Sequence, residues 1–140
     1  MEDGAYYLKD LIKAHNIVTT AGLNLIRDWF YGAGESRTIK YIAYGGNVAL
    51  PTPEDTWLKN PIGYIAVNKI GGTYMSTGRA RMVGYLKEPD EKNRGLRECG
   101  LTTGTNPTTE ILYARCIHKG LAKYTDNIVS YTWDLVWELD

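Results

Sequence analysis

Between Val129 and Leu139, the residues Val129, Tyr131, Trp133, Leu135, Trp137 and Leu139 take every odd position, while Thr132, Asp134 and Glu138 take even ones. Successive side chains of a strand point to opposite faces, so a period of two builds one apolar and one polar face and does not suit a helix. Val136 is the one break in the pattern. Any fold for this chain must bury the odd face. A strand of this length and apolarity is expected at the centre of a sheet, because an exposed edge of that kind invites pairing with other chains.

The rest of the sequence points the same way. Eleven Tyr, four Trp and fifteen Gly among 140 residues favour pleated, half-buried strands joined by tight turns. Strand signals fall at Ile39 to Tyr44, at Ile62 to Ile70, and at Tyr74 to Leu86 across a Gly71-Gly72 turn, the last two resembling a hairpin. Beyond a charged, proline-interrupted stretch from Lys87 to Arg94, Gly95 to Leu101 reads as a strand, Thr102 to Thr109 as a polar turn, and Glu110 to His118 as the partner strand. The segment Val48 to Thr56 carries Pro51 and Pro53 and reads as an ordered surface loop, with Trp57-Leu58 pinning it to the core.

One helix interrupts this pattern. In the segment from Thr19 to Tyr31 either Thr19 or Thr20 can cap the first turn, Leu23, Ile26, Trp29 and Phe30 line one face, and Gly32 or Gly34 ends the helix. That face is expected to cover a sheet, and Trp29, Trp133 and Trp137 are expected in the core. Residues 1–17 form a separate amphipathic arm, in which Leu8, Leu11 and Ile12 fall at helical spacing behind Tyr6 and Tyr7. A segment this short does not hold a helix alone. It either packs on its own domain or reaches a neighbour, and Tyr6, Tyr7, Leu8, Leu11 and Ile12 are the candidate assembly contacts. The expected fold class is mainly β: a small antiparallel β-sandwich or partly open barrel with one packed N-terminal helix and an N-terminal arm, divided into residues 1–17 and a β-rich domain over 18–140.

Charge and motifs narrow the chemistry. Sixteen Lys and Arg balance sixteen Asp and Glu, so no net field favours nucleic acid or an anionic membrane. No apolar run approaches the roughly 20 residues of a membrane-spanning helix, and the acidic Met1 to Gly4 start does not read as a secretory signal. Synthesis in a cytoplasm is the expectation, with Cys99 and Cys116 reduced and buried as small hydrophobes. A disulfide between them would require neighbouring strands in favourable register.

Nucleophile elbows, zinc-protease, phosphate-loop and dinucleotide signatures are missing from the sequence. Gly45-Gly46 and Gly71-Gly72 read as turns. His15 in the arm and His118 after a strand end are the only neutral-pH proton carriers. Asp134 and Glu138 on one strand would stand about 13 Å apart, beyond the glycosidase window. The expectation is therefore no catalytic residue, cofactor or metal, and no nucleic-acid or membrane partner.

The order of several segments resembles a family of small tailed-bacteriophage virion proteins. Val18-Thr19-Thr20-Ala21-Gly22-Leu23-Asn24-Leu25-Ile26-Arg27-Asp28 is similar to the family's opening helix. Ile39 to Asn47 and the proline loop Leu50 to Leu58 follow in the family's order. Arg97-Glu98-Cys99-Gly100-Leu101, Ile111-Leu112-Tyr113-Ala114-Arg115 and Ser130-Tyr131-Thr132-Trp133-Asp134-Leu135 resemble its later strands. Tyr44 and Asn47 depart from the family's small aliphatic and Gly or Thr, and the Met1 to Ile17 arm is added. The resemblance implies a non-enzymatic virion structural protein, a capsid decoration or cement subunit or a tail-fibre or baseplate module. It implies contacts with other virion proteins, a homo-oligomer, and assembly in a host cytoplasm. The exposed share of the Tyr and Trp residues leaves a carbohydrate-binding, host-recognition module as the alternative, with a host glycan as partner.

Overall fold

A computed structural model of the chain describes residue 14 and residues 16–69, 79–87, 95–124 and 127–136. Its elements are β1 (Asn16–Val18), α1 (Thr20–Tyr31), β2 (Tyr41–Gly45), β3 (Pro61–Ala66), β4 (Asn68–Lys69), β5 (Arg79–Leu86), β6 (Leu96–Thr102), β7 (Leu112–Leu121) and β8 (Val129–Val136). Five strands form one sheet in the order β1-β7-β6-β2-β3, and three form another in the order β4-β5-β8. Among the described residues the chain is mainly β, with two antiparallel sheets, one helix near the N-terminus and no closed barrel. The expected β6–β7 pairing is present.

Register decides which side chains meet. Leu101 of β6 lies opposite Ile42 of β2 and Ala114 of β7, and Cys99 lies opposite Tyr44 and Cys116. These residues form one face of the larger sheet. They share a core with Leu86 of β5 and with Val129, Tyr131 and Trp133 of β8 in the smaller sheet. Two pleated sheets thus bury their apolar faces against each other, the sandwich solution to the alternation read in the sequence. The next register row, Ala43, Gly100 and Arg115, faces the other way. There Trp57 and Leu58 close over Ala43 and Leu112, and the Trp57 indole N–H donates to the Tyr64 hydroxyl at 2.9 Å. The proline loop is pinned as expected. Each of these two side chains contributes on the order of 1.5–3 kcal/mol by leaving water.

Thr19 is the helix cap. Its hydroxyl oxygen accepts the Gly22 N–H at 2.9 Å and its proton goes to the Leu112 carbonyl at 2.5 Å, so one buried side chain both starts α1 and ties it to β7. Gly32 in the left-handed conformation ends the helix. The buried face differs from the expected one. Gly22 and Leu25 are buried and Ile26 is half-buried, whereas Leu23 and Phe30 point outward. The reason is contact distance: a Cβ on Gly22 would overlap the Tyr113 carbonyl oxygen. The helix rests on β7 along its glycine edge, and that rotates the Leu23–Phe30 stripe away from the sheet. Trp29, on the Gly22 side of the helix but in its last turn, is 38% exposed and not a core residue, while Trp133 is.

Two other expectations change. β8 lies at the end of its sheet among the described residues, paired with β5, and is not central. Its apolar face is covered by the opposing sheet, so alternation reports which face is buried and not how many strands flank it. The run from Ile62 to Ile70 is also split, because β3 joins the five-stranded sheet and β4 the three-stranded one. β1 pairs Asn16, Ile17 and Val18 with Cys116, Arg115 and Ala114, so a strand straddles the expected boundary after Ile17. Tyr6, Tyr7, Leu8, Leu11, Ile12, His15, the Gly71-Gly72 turn, Trp137, Glu138 and Leu139 lie outside the described residues.

Candidate functional site

The outward face of the larger sheet holds a buried charge cluster. Arg115 is 0% exposed, Glu98 0% and Asp55 4%. Arg115 Nε donates to Glu98 Oε2 at 2.9 Å and Nη1 donates to Asp55 Oδ2 at 3.2 Å. Nη2 stands 2.8 Å from Glu98 Oε2 as an ion pair, without a hydrogen bond of its own. Lys59 Nζ completes the set at 3.2 Å from Asp55 Oδ1, so two cations balance two carboxylates.

The same carboxylates hold backbone. Glu98 accepts the Asn60 N–H at 2.7 Å and the Lys59 N–H at 3.2 Å. Asp55 accepts the Thr52 N–H and the Thr52 hydroxyl, each at 3.0 Å. Gly45 makes the approach possible, since a Cβ there would overlap the Asn60 carbonyl oxygen and crowd Glu98. All four carboxylate oxygens therefore have donors, and the arrangement is a clamp that holds residues 52–60 against the sheet. Burial with satisfied partners suits positioning and not proton transfer.

Burial pushes the Asp55 carboxyl up, but the Thr52 amide, the Lys59 ammonium and the Thr52 hydroxyl outweigh it and hold the group below its ordinary value. An unfolded Asp titrates near ~3.9. A depressed folded value means that the unfolded chain takes the proton first, so this stabilisation is complete above that pH and is lost as pH falls through the folded value. Asp55→Asn is expected to cost about 2 kcal/mol at pH 7. The gap between wild type and variant should narrow between about pH 5 and pH 2. Thermal unfolding of both proteins across that range checks it, and a gap that stays constant would remove Asp55 ionisation from the account.

His118 lies inside β7 rather than after a strand end. Its Nδ1–H donates to the Lys119 carbonyl at 2.8 Å, which leaves Nε2 to accept the Tyr131 hydroxyl at 3.1 Å. Burial lowers the imidazole pKa against the opposing pull of that carbonyl, so neutral His118 serves as a cross-sheet hydrogen-bond bridge. Arg81, across from Asp134 in the β5–β8 pair, grips its carboxylate with two N–H groups at 2.8 and 3.1 Å. Lys40, Tyr41, Thr103, Asn106 and Glu110 line a shallow, open, polar depression.

Among the described residues the largest apolar exposure is on α1. Phe30 is 86% exposed, Tyr31 81% and Leu23 56%, on a helix whose other side is fixed to β7. Trp29 beside them is anchored by its indole N–H, which donates to the Arg37 carbonyl at 2.8 Å. The clamped loop reaches the other, N-terminal end of the helix, where the Thr20 N–H donates to the Pro53 carbonyl at 2.7 Å. Leu50 and Val48 of that loop are also exposed. The expected assembly contacts in the arm, Tyr6, Tyr7, Leu8, Leu11 and Ile12, lie outside the described residues.

Sequence reading missed the clamp. Its signal was present as Glu98 and Arg115, charges next to the buried cysteines in the strands Leu96–Thr102 and Leu112–Leu121. No protein-family model, no curated protein and no solved structure matches the chain.

Proposed function

We propose that this protein is a non-enzymatic structural subunit of a tailed-phage virion, attached to the particle surface through protein–protein contact. The observation that carries the reading is the outward ridge of α1, with Leu23, Phe30 and Tyr31 exposed on a helix that cannot turn them inward. Large aromatic side chains held rigidly at a surface lose little conformational freedom on binding and anchor interfaces well. The ordered resemblance supports the same reading, and the clamp gives its motifs a physical meaning. Asp55 and Leu58 come from the proline loop, Glu98 and Gly100 from one strand motif, and Arg115 from another. Those motifs are what hold the domain together, so they mark the fold and leave the contact surface to α1, the exposed loop residues and the arm.

Immunogold electron microscopy on intact purified particles of the source that encodes the chain tests this reading. Gold over head faces corresponds to a decoration or cement subunit, and gold at the tail to a fibre or baseplate module. Unlabelled particles would overturn the proposal. The contact surface has its own test in the double variant Phe30→Ser/Tyr31→Ser. Its stability is expected within about 0.5 kcal/mol of wild type, and its co-sedimentation with particles lacking the native protein should fall about tenfold or more. Unchanged co-sedimentation would move the contact away from α1.

A further inference from the structure

Cys99 of β6 and Cys116 of β7 are directly opposed in the antiparallel register. Their sulfurs lie 3.0 Å apart in the core between the sheets. Opposed residues of antiparallel strands place their Cα atoms about 4.5–5.5 Å apart, inside the window of about 4.4–6.8 Å that a disulfide spans. Both residues are free thiols, and joining them requires no sliding of one strand past the other.

We propose that Cys99 and Cys116 are an oxidative modification site, at which a hydroperoxide converts the thiol pair of the folded protein into a cross-strand disulfide. The two thiols are 3% and 6% exposed, which favours an oxidant of few atoms over a protein or peptide disulfide. Either thiol can make the first attack, because the two share one contact, and the product is the same; from Cys116 the steps are these. The Cys116 sulfur attacks one peroxide oxygen, the O–O bond breaks, and with hydrogen peroxide one water leaves as Cys116 becomes a sulfenic acid. The Cys99 sulfur then attacks the Cys116 sulfur. An S–S bond forms, the S–O bond breaks, and the hydroxyl departs with the Cys99 proton as a second water. Two electrons pass from the sulfur pair to the peroxide, and the protein loses two hydrogens.

The consequence reaches the other side of the sheet. Glu98 and Arg115 are the chain neighbours of the two cysteines and face the clamp. A covalent tie between Cys99 and Cys116 fixes the register on which the Glu98–Arg115 pairing depends. Closing a loop of about this length in the unfolded chain lowers the unfolding equilibrium constant on the order of a hundredfold.

The test uses the full chain, reduced by a phosphine, freed of it, and exposed to a small excess of hydrogen peroxide. It is then unfolded in the presence of a thiol-alkylating reagent. The expected product is a monomer two hydrogens lighter, closed to alkylation, with a peptide map linking Cys99 to Cys116 and a urea midpoint above that of the reduced protein. Two free alkylated thiols, sulfinic acid on either cysteine, or cross-linked dimers would overturn the assignment. So would a cross-link that forms faster in urea than in buffer, because native register would then play no part.

Discussion

Replacing Arg115 by methionine is expected to cost about 3–5 kcal/mol of folding stability, the range seen when one partner of a buried ion pair is removed. The side chain is fully buried and bridges Glu98 and Asp55, so its removal strands carboxylates that no water reaches. Methionine fills much of the space, which keeps a cavity from being the main cause. A domain of this size holds roughly 5–15 kcal/mol in total, so the variant should be close to unfolding at ordinary temperature. Urea denaturation at constant m-value measures the loss. A companion variant, Arg115→Met with Glu98→Gln, separates charge from hydrogen bonding. The glutamine carbonyl can still accept the Asn60 amide, the shorter of the two backbone bonds that Glu98 receives on separate oxygens, and the uncompensated Glu98 charge is gone. The double variant should therefore recover part of the loss, a coupling of about 0.5–3 kcal/mol. A loss under about 1 kcal/mol for Arg115→Met would mean that the cluster is effectively solvated.

The second large effect runs against helix propensity. Alanine in place of glycine inside a helix ordinarily stabilises it by about 1 kcal/mol. At Gly22 the new Cβ would overlap the Tyr113 carbonyl oxygen and crowd its Cα, and both belong to strand backbone that cannot rotate aside. Gly22→Ala must lift α1 from β7, stretching the Thr19 bonds to Leu112 and Tyr113. A net destabilisation of about 1–3 kcal/mol is expected. Circular dichroism of thermal unfolding gives the sign directly, and a gain in stability would show that the helix does not sit where its glycine places it.

These two sites also show where sequence reading ran out. The helix from Thr19 to Tyr31, its threonine cap and glycine stop, the β6–β7 pairing and the burial of both cysteines were legible because each rests on neighbours in sequence or on a local period. The orientation of α1 was not, because the residue that decides it has no side chain and its contact is a carbonyl far along the chain. A stripe of Leu23, Ile26, Trp29 and Phe30 reads as a buried face until Gly22 is known to touch β7. The clamp was hidden for a related reason. Asp55 and Arg115 are 60 residues apart, and Glu98 and Arg115 are 17 apart, so each charge taken singly reads as solvated. For β8, a period of two carries face and not position within the sheet.

The Thr19 cap bonds to β7 across 93 residues of chain, and that separation has a meaning in time. Ribosomes add about 5–20 residues each second, so the first helix is made roughly 5–20 s before its seat exists. During that interval Leu25 and the Phe30–Tyr31 ridge are bare together, and nothing yet distinguishes the side meant for β7 from the side meant for a partner. Arrival of β7 sorts them. A nascent-chain chaperone would meet a helix apolar on both sides, and a copy released early would offer neighbours a surface that the finished protein keeps for itself.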